Sequence, residues 1–385
     1  MNWIEKERET LIQFYRRQEV VFVEGDGCWL YDENGKKYLD LVAGIAVVAL
    51  GHSNQEFIEK LTKQLNKLVH TSNLFYTIPQ IQLAEKLKDI TNMDKFFFCN
   101  SGAESVEAAL KISRKVTGKK KFIAFENSFH GRTFGALSVT YKEKFRKPFE
   151  PLLEPVDFVK FNNINDLRSK VDENTAAIIL ELIQGEAGVR EIDKNVLSEI
   201  FELKEKFGFL IIFDEVQTGF GRTGKWFAKE HFKFEPDIIT MAKAMGNGFP
   251  IGGVGVREYV AEKLEAGEHA STFGGNPLAC TAAIATIETM EKMNLIENSA
   301  KIGEYFKSKL KDVDFVKNVR GKGLMIGVEV TVNAEDVVKN ALKNGLIINN
   351  TDEKNLRLVP PLILSKEEVD FAIDILKSLN TYQTP

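Results

Sequence analysis

The 385-residue chain is 44% hydrophobic and 28% charged, an ordinary globular composition for which the length suggests two or three domains. Its formal net charge of -4 gives no basic surface for nucleic acid, and the one short basic run, 119–121, fits a solvated turn. Three cysteines without CxxC spacing argue against a disulfide framework and a zinc site, so we expect a cytoplasmic protein without a metal. The charged N-terminal residues and the lack of a long apolar run predict neither a signal peptide nor a membrane span.

The first segment, residues 1–45, predicts a helix followed by a small hairpin. Apolar residues recur among charges over 1–18, which is typical of an amphipathic helix. Asn34-Gly35 is a strong turn signal between two short apolar runs. We expect this segment to form part of a smaller domain.

The second segment, residues 46–270, repeats a pattern of strand, turn and helix. Its strands are continuous apolar runs, at 96–99, 122–125, 156–161, 176–182, 209–213 and 238–241. Runs without alternation are typical of parallel strands that helices cover on both faces. The segment therefore predicts a large α/β domain with a mostly parallel sheet flanked by helices.

The third segment, residues 271–385, begins with long helical stretches after Pro277 and continues with strands and further helices. We expect its first helix to connect the domains. The rest would join the N-terminal hairpin in a smaller α+β domain.

A lysine at the end of the last buried strand, Lys243, lies in a turn rich in glycine. Burial disfavours the ammonium form of a lysine, and the neutral amine can attack an aldehyde to form a Schiff base. A strand-end lysine can also simply extend its charge to water. The lysine alone leaves both interpretations open.

Polar residues follow other strands of the predicted sheet. Ser101, Gly102 and Ala103 stand at a strand-to-helix junction, where free N–H groups would face an anion such as a phosphate, although a plain turn has the same pattern. Arg132 follows the next strand. Its guanidinium could bind a carboxylate there, and a surface arginine without a ligand is an equally good interpretation.

An aspartate, Asp214, ends a strand of five apolar residues. Such a carboxylate is costly to bury without a partner, which could be a helix N-terminus, an arginine or a protonated ring nitrogen. Ligands of open α/β sheets bind beyond the carboxyl ends of the strands, where Gly102, Phe129, Glu186 and Lys243 also fall. A reactive lysine, a phosphate site and an aspartate for a ring nitrogen are together the components of a pyridoxal phosphate site.

These motifs resemble those of the class III aminotransferases, which are fold-type-I enzymes acting on terminal amines. The resemblance covers about 20–364 and rests on the segments at 44–52, 100–104, 128–133, 184–188, 214–222, 241–243 and 271–277. It implies that pyridoxal 5'-phosphate forms a Schiff base with Lys243, which then moves the proton between substrate and cofactor. Asp214 would keep the ring nitrogen protonated. The remaining implied cofactor contacts are Ser101, Gly102, Ala103, Phe129, Gln217 and Thr272.

The resemblance also implies a homodimer, because Thr272 would reach the phosphate of the neighbouring subunit. Arg132, assisted by Ser271, would bind the α-carboxylate of the first substrate. Arg357 would bind the α-carboxylate of glutamate, and Glu186 would pair with Arg357 while the first substrate is bound. His130 is interpreted as a packing or loop-positioning residue, because Lys243 supplies the base.

The reaction that this resemblance implies is transfer of the δ-amino group of N2-acetylornithine to 2-oxoglutarate in arginine biosynthesis. Its products would be N-acetylglutamate semialdehyde and glutamate, formed in two half-reactions at one site. Ornithine, succinylornithine and 4-aminobutyrate aminotransferases share the cofactor residues and stay open as alternatives. An aminomutase acting on glutamate semialdehyde would not consume 2-oxoglutarate. A catalytically inactive binding protein is disfavoured by the presence of Lys243 and Asp214.

Overall fold

The computed structural model describes residues 2–379 of the chain. Its helices are α1 (Trp3–Thr10), α2 (Ala43–Ala46), α3 (Gln55–Leu65), α4 (Ile78–Thr91), α5 (Gly102–Thr117), α6 (Phe134–Ser138), α7 (Glu143–Arg146), α8 (Ile164–Lys170), α9 (Lys194–Phe207), α10 (Lys229–Phe232), α11 (Glu258–Ala261), α12 (Pro277–Lys292), α13 (Leu295–Leu310), α14 (Ala334–Lys343) and α15 (Lys366–Ser378). Short 3-10 helices occupy Lys147–Phe149 and Lys243–Gly246.

The strands are β1 (Phe22–Asp26), β2 (Trp29–Asp32), β3 (Lys37–Asp40), β4 (Lys95–Cys99), β5 (Lys121–Phe125), β6 (Val156–Val159), β7 (Thr175–Leu180), β8 (Ile183–Gln184), β9 (Arg190–Glu191), β10 (Leu210–Asp214), β11 (Ile238–Met241), β12 (Gly252–Val256), β13 (Val316–Lys322), β14 (Met325–Val330), β15 (Leu346–Ile347), β16 (Asn349–Asp352) and β17 (Asn355–Leu358). All six strands predicted for the large sheet are present.

A seven-stranded sheet in the order β4-β12-β11-β10-β7-β5-β6 forms the centre of the molecule. Only β12 runs antiparallel to its neighbours in this sheet, and every residue of β5, β7, β10 and β11 is buried. Alternate residues of the central strands pack against α5 on one face and α9 on the other. The predicted fold class, a mostly parallel sheet flanked by helices, is confirmed.

The antiparallel strand β12 was not predicted, because its sequence, GGVGV, is typical of a turn. The glycines are explained by close packing against the neighbouring strands. A Cβ atom at Gly255 would lie 2.9 Å from side-chain atoms of both Ile239 and Phe96, and one at Gly252 would collide with the Ser101 carbonyl. At Gly252 and Gly255, close neighbours thus leave no space for a side chain.

Two smaller sheets accompany the large one, and the first of them combines segments from both ends of the chain. The N-terminal strands β1, β2 and β3 form one sheet with β15, which pairs in parallel with β3. Strands β13, β14, β17 and β16 form an antiparallel sheet. The division into segments at 1–45, 46–270 and 271–385 stays a prediction.

The N-terminal helix is shorter than predicted: α1 ends at Thr10, whereas the apolar spacing predicted a helix over 1–18. None of its residues is buried. Most of the stability of a short helix comes from packing of an apolar face. Within the described chain α1 buries no such face, so packing does not extend it beyond Thr10. Among the helices of residues 2–379, none has the length and apolar character that crossing a membrane requires.

Candidate active site

A cavity of about 420 Å³ opens at the carboxyl edge of the large sheet. Nine of the predicted site residues line it: Ser101, Gly102, Ala103, Phe129, Arg132, Glu186, Asp214, Gln217 and Lys243. Arg357 lies directly behind this lining, in contact with Glu186 and Gln217. The fold therefore brings together ten residues that the sequence places up to 256 positions apart, between Ser101 and Arg357.

The lysine of the cavity, Lys243, directly follows the buried residues of β11 and Ala242. Burial and, to a lesser extent, the nearby Arg357 guanidinium lower its pKa to about 8, although Glu186 and Asp214 act in the opposite direction. An ordinary lysine has a pKa near 10.4, so Lys243 has far more neutral amine near neutral pH. The side chain is thus suited to attack a carbonyl carbon.

The aspartate at the end of β10, Asp214, is 4% exposed. Its Oδ1 accepts a hydrogen bond from the Val216 N–H at 3.0 Å, and its Oδ2 lies 2.6 Å from His130 Nδ1. The other ring nitrogen of His130 is buried without a hydrogen-bond partner in the described chain. His130 therefore contacts Asp214 directly, which the sequence interpretation as a packing residue did not predict.

A second buried carboxylate, Glu181, lies just past the end of β7 and was missed by the sequence analysis. It accepts hydrogen bonds from the N–H groups of Phe129 and Gly185, both at 3.0 Å. Burial raises its pKa to about 7. The side chain thus fixes the two loops that carry Phe129 and Glu186. Its position directly after a buried apolar strand, like that of Asp214, was the available signal.

The N-terminus of α5 faces the cavity and supplies a site for an anion. Ser101 caps the helix, accepting a hydrogen bond from Glu104 N–H at 3.2 Å. The first N–H groups of a helix lack intrahelical partners, so those of Gly102 and Ala103 are available to a ligand at the positive end of the helix dipole. A Cβ atom at Gly102 would lie 2.8 Å from Val216 Cγ1, which explains why glycine stands here.

An ion pair between a buried arginine and a half-buried glutamate closes the cavity on the side of the small antiparallel sheet. Arg357 of β17 is 2% exposed, and its Nη1 donates to Glu186 Oε1 at 2.5 Å and to Gln217 Oε1 at 3.2 Å. Burial alone would raise the pKa of Glu186, but the Arg357 guanidinium holds that pKa below its ordinary value. Glu186 is therefore a carboxylate at neutral pH, and it compensates the buried guanidinium.

The second cavity arginine, Arg132, is exposed and differs from Arg357 in its surroundings. Its guanidinium lies 3.7 Å from the ring centroid of Phe145 and 5.5 Å from that of Phe129. None of the ion pairs in the described part of the chain includes Arg132. Its charge is therefore free to meet a carboxylate that enters the cavity.

Two predicted residues, Ser271 and Thr272, do not line the cavity of their own chain. The Ser271 hydroxyl accepts from Asn100 Nδ2 at 3.2 Å and from Gly274 N–H at 3.0 Å. Thr272 is exposed and lines a separate depression together with Glu104. Their predicted roles toward a phosphate and a substrate stay predictions.

A wall of the cavity depends on an unusual backbone segment, α2, for which the sequence pattern did not predict a helix. All four of its residues have positive φ, with 49° at Ala43 and 66° at Ile45. Positive φ is a genuine outlier for a β-branched residue such as Ile45. Val47 follows this left-handed turn directly and lines the cavity. Of the four residues, only Gly44 gave a sequence signal for this conformation.

The arrangement defines a class of protein. A lysine of lowered pKa, a buried aspartate and a helix N-terminus meet at the carboxyl edge of one α/β sheet, and this set fits pyridoxal phosphate. Residues 14–379 match the model of the family described as Aminotransferase class-III, and the chain belongs to this family. It is a pyridoxal-phosphate-dependent aminotransferase.

Curated relatives match over almost their whole length. The chain is 60% identical over 376 residues to the acetylornithine aminotransferase of Archaeoglobus fulgidus, covering 98% of this chain and 100% of that relative. It is 48% identical to the acetylornithine aminotransferase of Methanosarcina mazei, covering 97% and 95% of the two chains.

Solved structures agree with the fold. The ornithine aminotransferase of Toxoplasma gondii superposes with a TM-score of 0.93 at 31% identity, covering 97% of this chain and 93% of that one. The acetylornithine aminotransferase of Elizabethkingia anophelis gives 0.85 at 31% identity, covering 97% of each chain. A second Toxoplasma gondii ornithine aminotransferase structure, with a TM-score of 0.92, has partial occupancy of pyridoxal phosphate at its active site.

Proposed function

We propose that this chain transfers the δ-amino group of N2-acetylornithine to 2-oxoglutarate, yielding N-acetylglutamate semialdehyde and glutamate in arginine biosynthesis. The observation that carries the proposal is the ion pair of the half-buried Glu186 with the buried Arg357 beside Lys243. A site with such a pair can accept both a side-chain amine and an α-amino dicarboxylate. The names of the relatives at 60% and 48% identity support the choice of the amine.

The cofactor residues are assigned from the shape and chemistry of the cavity. Pyridoxal phosphate, when bound, supplies an aldehyde and a ring that withdraws electrons from the substrate. Lys243 would bind the aldehyde through its neutral amine. Ser101, Gly102 and Ala103 would hold the phosphate at the N-terminus of α5.

The ring would be held by the residues around Asp214. The carboxylate of Asp214 would keep a proton on the ring nitrogen, and its own hydrogen bonds to Val216 and His130 fix its position for that role. Phe129 would lie against the ring face, and Gln217 would lie near the ring hydroxyl. In the reaction, the Lys243 amine would take a proton from the substrate carbon that bears the amino group and deliver it to the aldehyde carbon of the cofactor.

The two substrates place different groups opposite Arg357. While acetylornithine is bound through Arg132 and Ser271, Glu186 neutralises Arg357. When glutamate or 2-oxoglutarate binds, the α-carboxylate replaces Glu186 on the guanidinium. A buried charge without a partner costs about 3–5 kcal/mol, so Arg357 needs one of these carboxylates at each stage.

A homodimer is part of the proposal. Six apolar side chains near the cavity, each at least 60% exposed, are Leu74, Phe75, Tyr76, Ile78, Phe134 and Phe273. The segment at 74–76 adjoins the Ser271 loop, because Asn73 Nδ2 donates to the carbonyls of Ser271 and Gly274. A second copy covering this patch would bring its own Thr272 toward the phosphate.

A cytoplasmic location is also part of the proposal. It is supported by the three unpaired cysteines, which are typical of a reducing compartment.

The test is a visible spectrum of the purified protein loaded with pyridoxal phosphate. Acetylornithine, succinylornithine, ornithine and 4-aminobutyrate are added separately without 2-oxoglutarate, and the rate of loss of the cofactor band is measured. We expect acetylornithine to be fastest and 2-oxoglutarate to restore the band. Ornithine is the second candidate, because similar structures are ornithine aminotransferases, and a faster reaction with ornithine would replace the proposed substrate. Conversion of glutamate semialdehyde without 2-oxoglutarate would instead indicate an aminomutase.

A further inference from the structure

The side chain of Asn349 contacts Arg357 on a different nitrogen from Glu186. Nη1 of Arg357 donates to Glu186 and Gln217. The orientation of the Asn349 amide that satisfies both of its neighbours places its oxygen 3.0 Å from Arg357 Nη2. Arg357 Nε is buried and has no hydrogen-bond partner in the described chain. Asn349 therefore binds the Arg357 guanidinium through a nitrogen that neither Glu186 nor Gln217 contacts.

The same amide also binds the backbone of Arg357. Asn349 on β16 is the residue directly opposite Arg357 on β17 in the antiparallel ladder. In this orientation its Nδ2 donates to the Arg357 carbonyl at 2.8 Å. One side chain thus links the main chain of the arginine to the far end of its guanidinium.

These contacts have a consequence for the exchange of carboxylates. When Glu186 leaves Nη1, the hydrogen bond between Asn349 and Nη2 remains. Nη2 carries two hydrogens, so Asn349 leaves one of them for an incoming carboxylate. Arg357 would then keep its direction toward the cavity during the exchange, without the rotamer freedom that weakens binding by a flexible arginine.

We propose that Asn349 is a positioning residue that sets the affinity of the site for the five-carbon dicarboxylates, glutamate and 2-oxoglutarate. It acts through Arg357, and it does not contribute to binding of the amine donor, which meets Arg132. This inference rests on the proposed function, because it assumes that a dicarboxylate binds Arg357.

The test compares Asn349→Ala with Asn350→Ala in the holoenzyme. Asn350 is the next residue of the same strand, and its Nδ2 bonds to the Asp352 carbonyl, so it is a matched control. We expect Asn349→Ala to raise KM for 2-oxoglutarate and glutamate about tenfold, because a hydrogen bond to a charged group is lost. KM for the amine donor and kcat should change less than about twofold, and Asn350→Ala should match the wild type.

A second variant, Asn349→Asp, keeps the size of the side chain and the acceptor for Arg357 Nη2 but loses the donor to the Arg357 carbonyl, so the melting temperature without ligand is measured for each variant to identify a folding defect. Its carboxylate would neutralise Arg357 permanently, so 2-oxoglutarate binding should fall further than in Asn349→Ala. Binding is also measured without turnover, as the rise in melting temperature that glutarate produces. This rise should shrink in both Asn349 variants and persist in Asn350→Ala.

The outcomes distinguish a failure of the role of Asn349 from a failure of the proposed function. If the wild type uses 2-oxoglutarate but both Asn349 variants keep its KM and the glutarate response within twofold, the role of Asn349 is wrong. An equal rise in KM for amine donor and dicarboxylate would also overturn it, because that result indicates a general structural defect. If the wild type itself does not use 2-oxoglutarate, the proposed function fails.

Discussion

The cofactor end and the substrate end of the cavity are built from different parts of the molecule. The cofactor end, with Ser101, Asp214 and Lys243, lies at the carboxyl ends of β4, β10 and β11 in one sheet. The substrate end combines the loop between β8 and β9, which carries Glu186, with Arg357 on a separate sheet and Val47 after a left-handed turn.

This difference explains why the spacing of the cofactor residues is easy to keep and the spacing of the substrate residues is easy to change. Residues at the ends of strands of one buried sheet are held by its hydrogen-bond ladder, so the chemical groups keep their spacing. Residues on three separate parts keep their spacing only through packing between those parts. We infer that the chemistry is fixed by the large sheet, whereas substrate choice depends on the smaller sheets.

The largest effect is expected at the cofactor end, for Lys243→Ala. Turnover should fall by at least about 10⁴-fold, because the covalent anchor and the general base are removed together. The phosphate site on α5 is untouched, so the variant should still bind the cofactor without a covalent bond. Steady-state rates and absorbance spectra measure the two effects, with Lys120→Ala, an exposed lysine, as the control. Turnover equal to that of the control would contradict the assignment of Lys243.

The next effect is expected for Asp214→Asn, which keeps the size of the side chain and removes its charge. An amide does not hold a proton on the ring nitrogen, so kcat should fall roughly 10²- to 10³-fold, as for loss of one preorganised electrostatic group. Asp312→Asn changes an exposed aspartate and serves as the control. A loss below about threefold at Asp214 would mean that the cofactor ring does not depend on this carboxylate.

The pKa of Lys243 gives a pH test of the same end. Only the neutral amine attacks the aldehyde, and the pKa is lowered to about 8 because burial disfavours the ammonium. Covalent uptake of pyridoxal phosphate by the cofactor-free protein should therefore rise about tenfold per pH unit below 8 and level off above it. Stopped-flow absorbance across pH 6 to 10 measures this profile. A rate that keeps rising to pH 10 would indicate an ordinary lysine.

The smallest effect is expected at the substrate end, where Ile45→Gly is compared with Ile58→Gly. The two isoleucines are 41% and 42% exposed, but Ile45 has a φ of 66° and Ile58 lies within the helix α3. A left-handed conformation costs an ordinary residue roughly 1–2 kcal/mol, which glycine avoids, whereas glycine within a helix costs about 1 kcal/mol.

The two glycine variants should therefore shift stability in opposite directions. Ile45→Gly should raise the free energy of unfolding by up to about 1 kcal/mol, after the greater entropy of the unfolded chain is subtracted, and Ile58→Gly should lower it. Thermal unfolding measures both. A destabilised Ile45→Gly would mean that the turn before Val47 is not strained.

The contrast between the two ends of the cavity also describes how much of the site could be predicted from the sequence. The strand-end positions of Lys243 and Asp214 were predictable, because buried apolar runs without alternation reveal parallel strands and their ends. The pair of Glu186 and Arg357 came from family resemblance, and the site geometry places the two in contact.

Other features depend on contacts between distant segments, so local patterns do not reveal them. The contact of His130 with Asp214 joins residues 84 positions apart, and the left-handed α2 has a β-branched residue where propensity disfavours one. In the strand β12, two of the three glycines, Gly252 and Gly255, stand where their neighbours leave no space for a side chain. In each case tertiary packing overrides the local preference.

The most direct test of the two-ended cavity measures both half-reactions of Glu186→Ala in single turnovers, with acetylornithine and glutamate as separate donors. Removing Glu186 leaves Arg357 without its partner, so the rate ratio of glutamate to acetylornithine should rise at least about tenfold. Any change in the pKa of Lys243 affects both donors equally and cancels in this ratio. Glu191→Ala, which removes an ion pair with Lys322, is the control. An unchanged ratio in Glu186→Ala would contradict the exchange of carboxylates on Arg357.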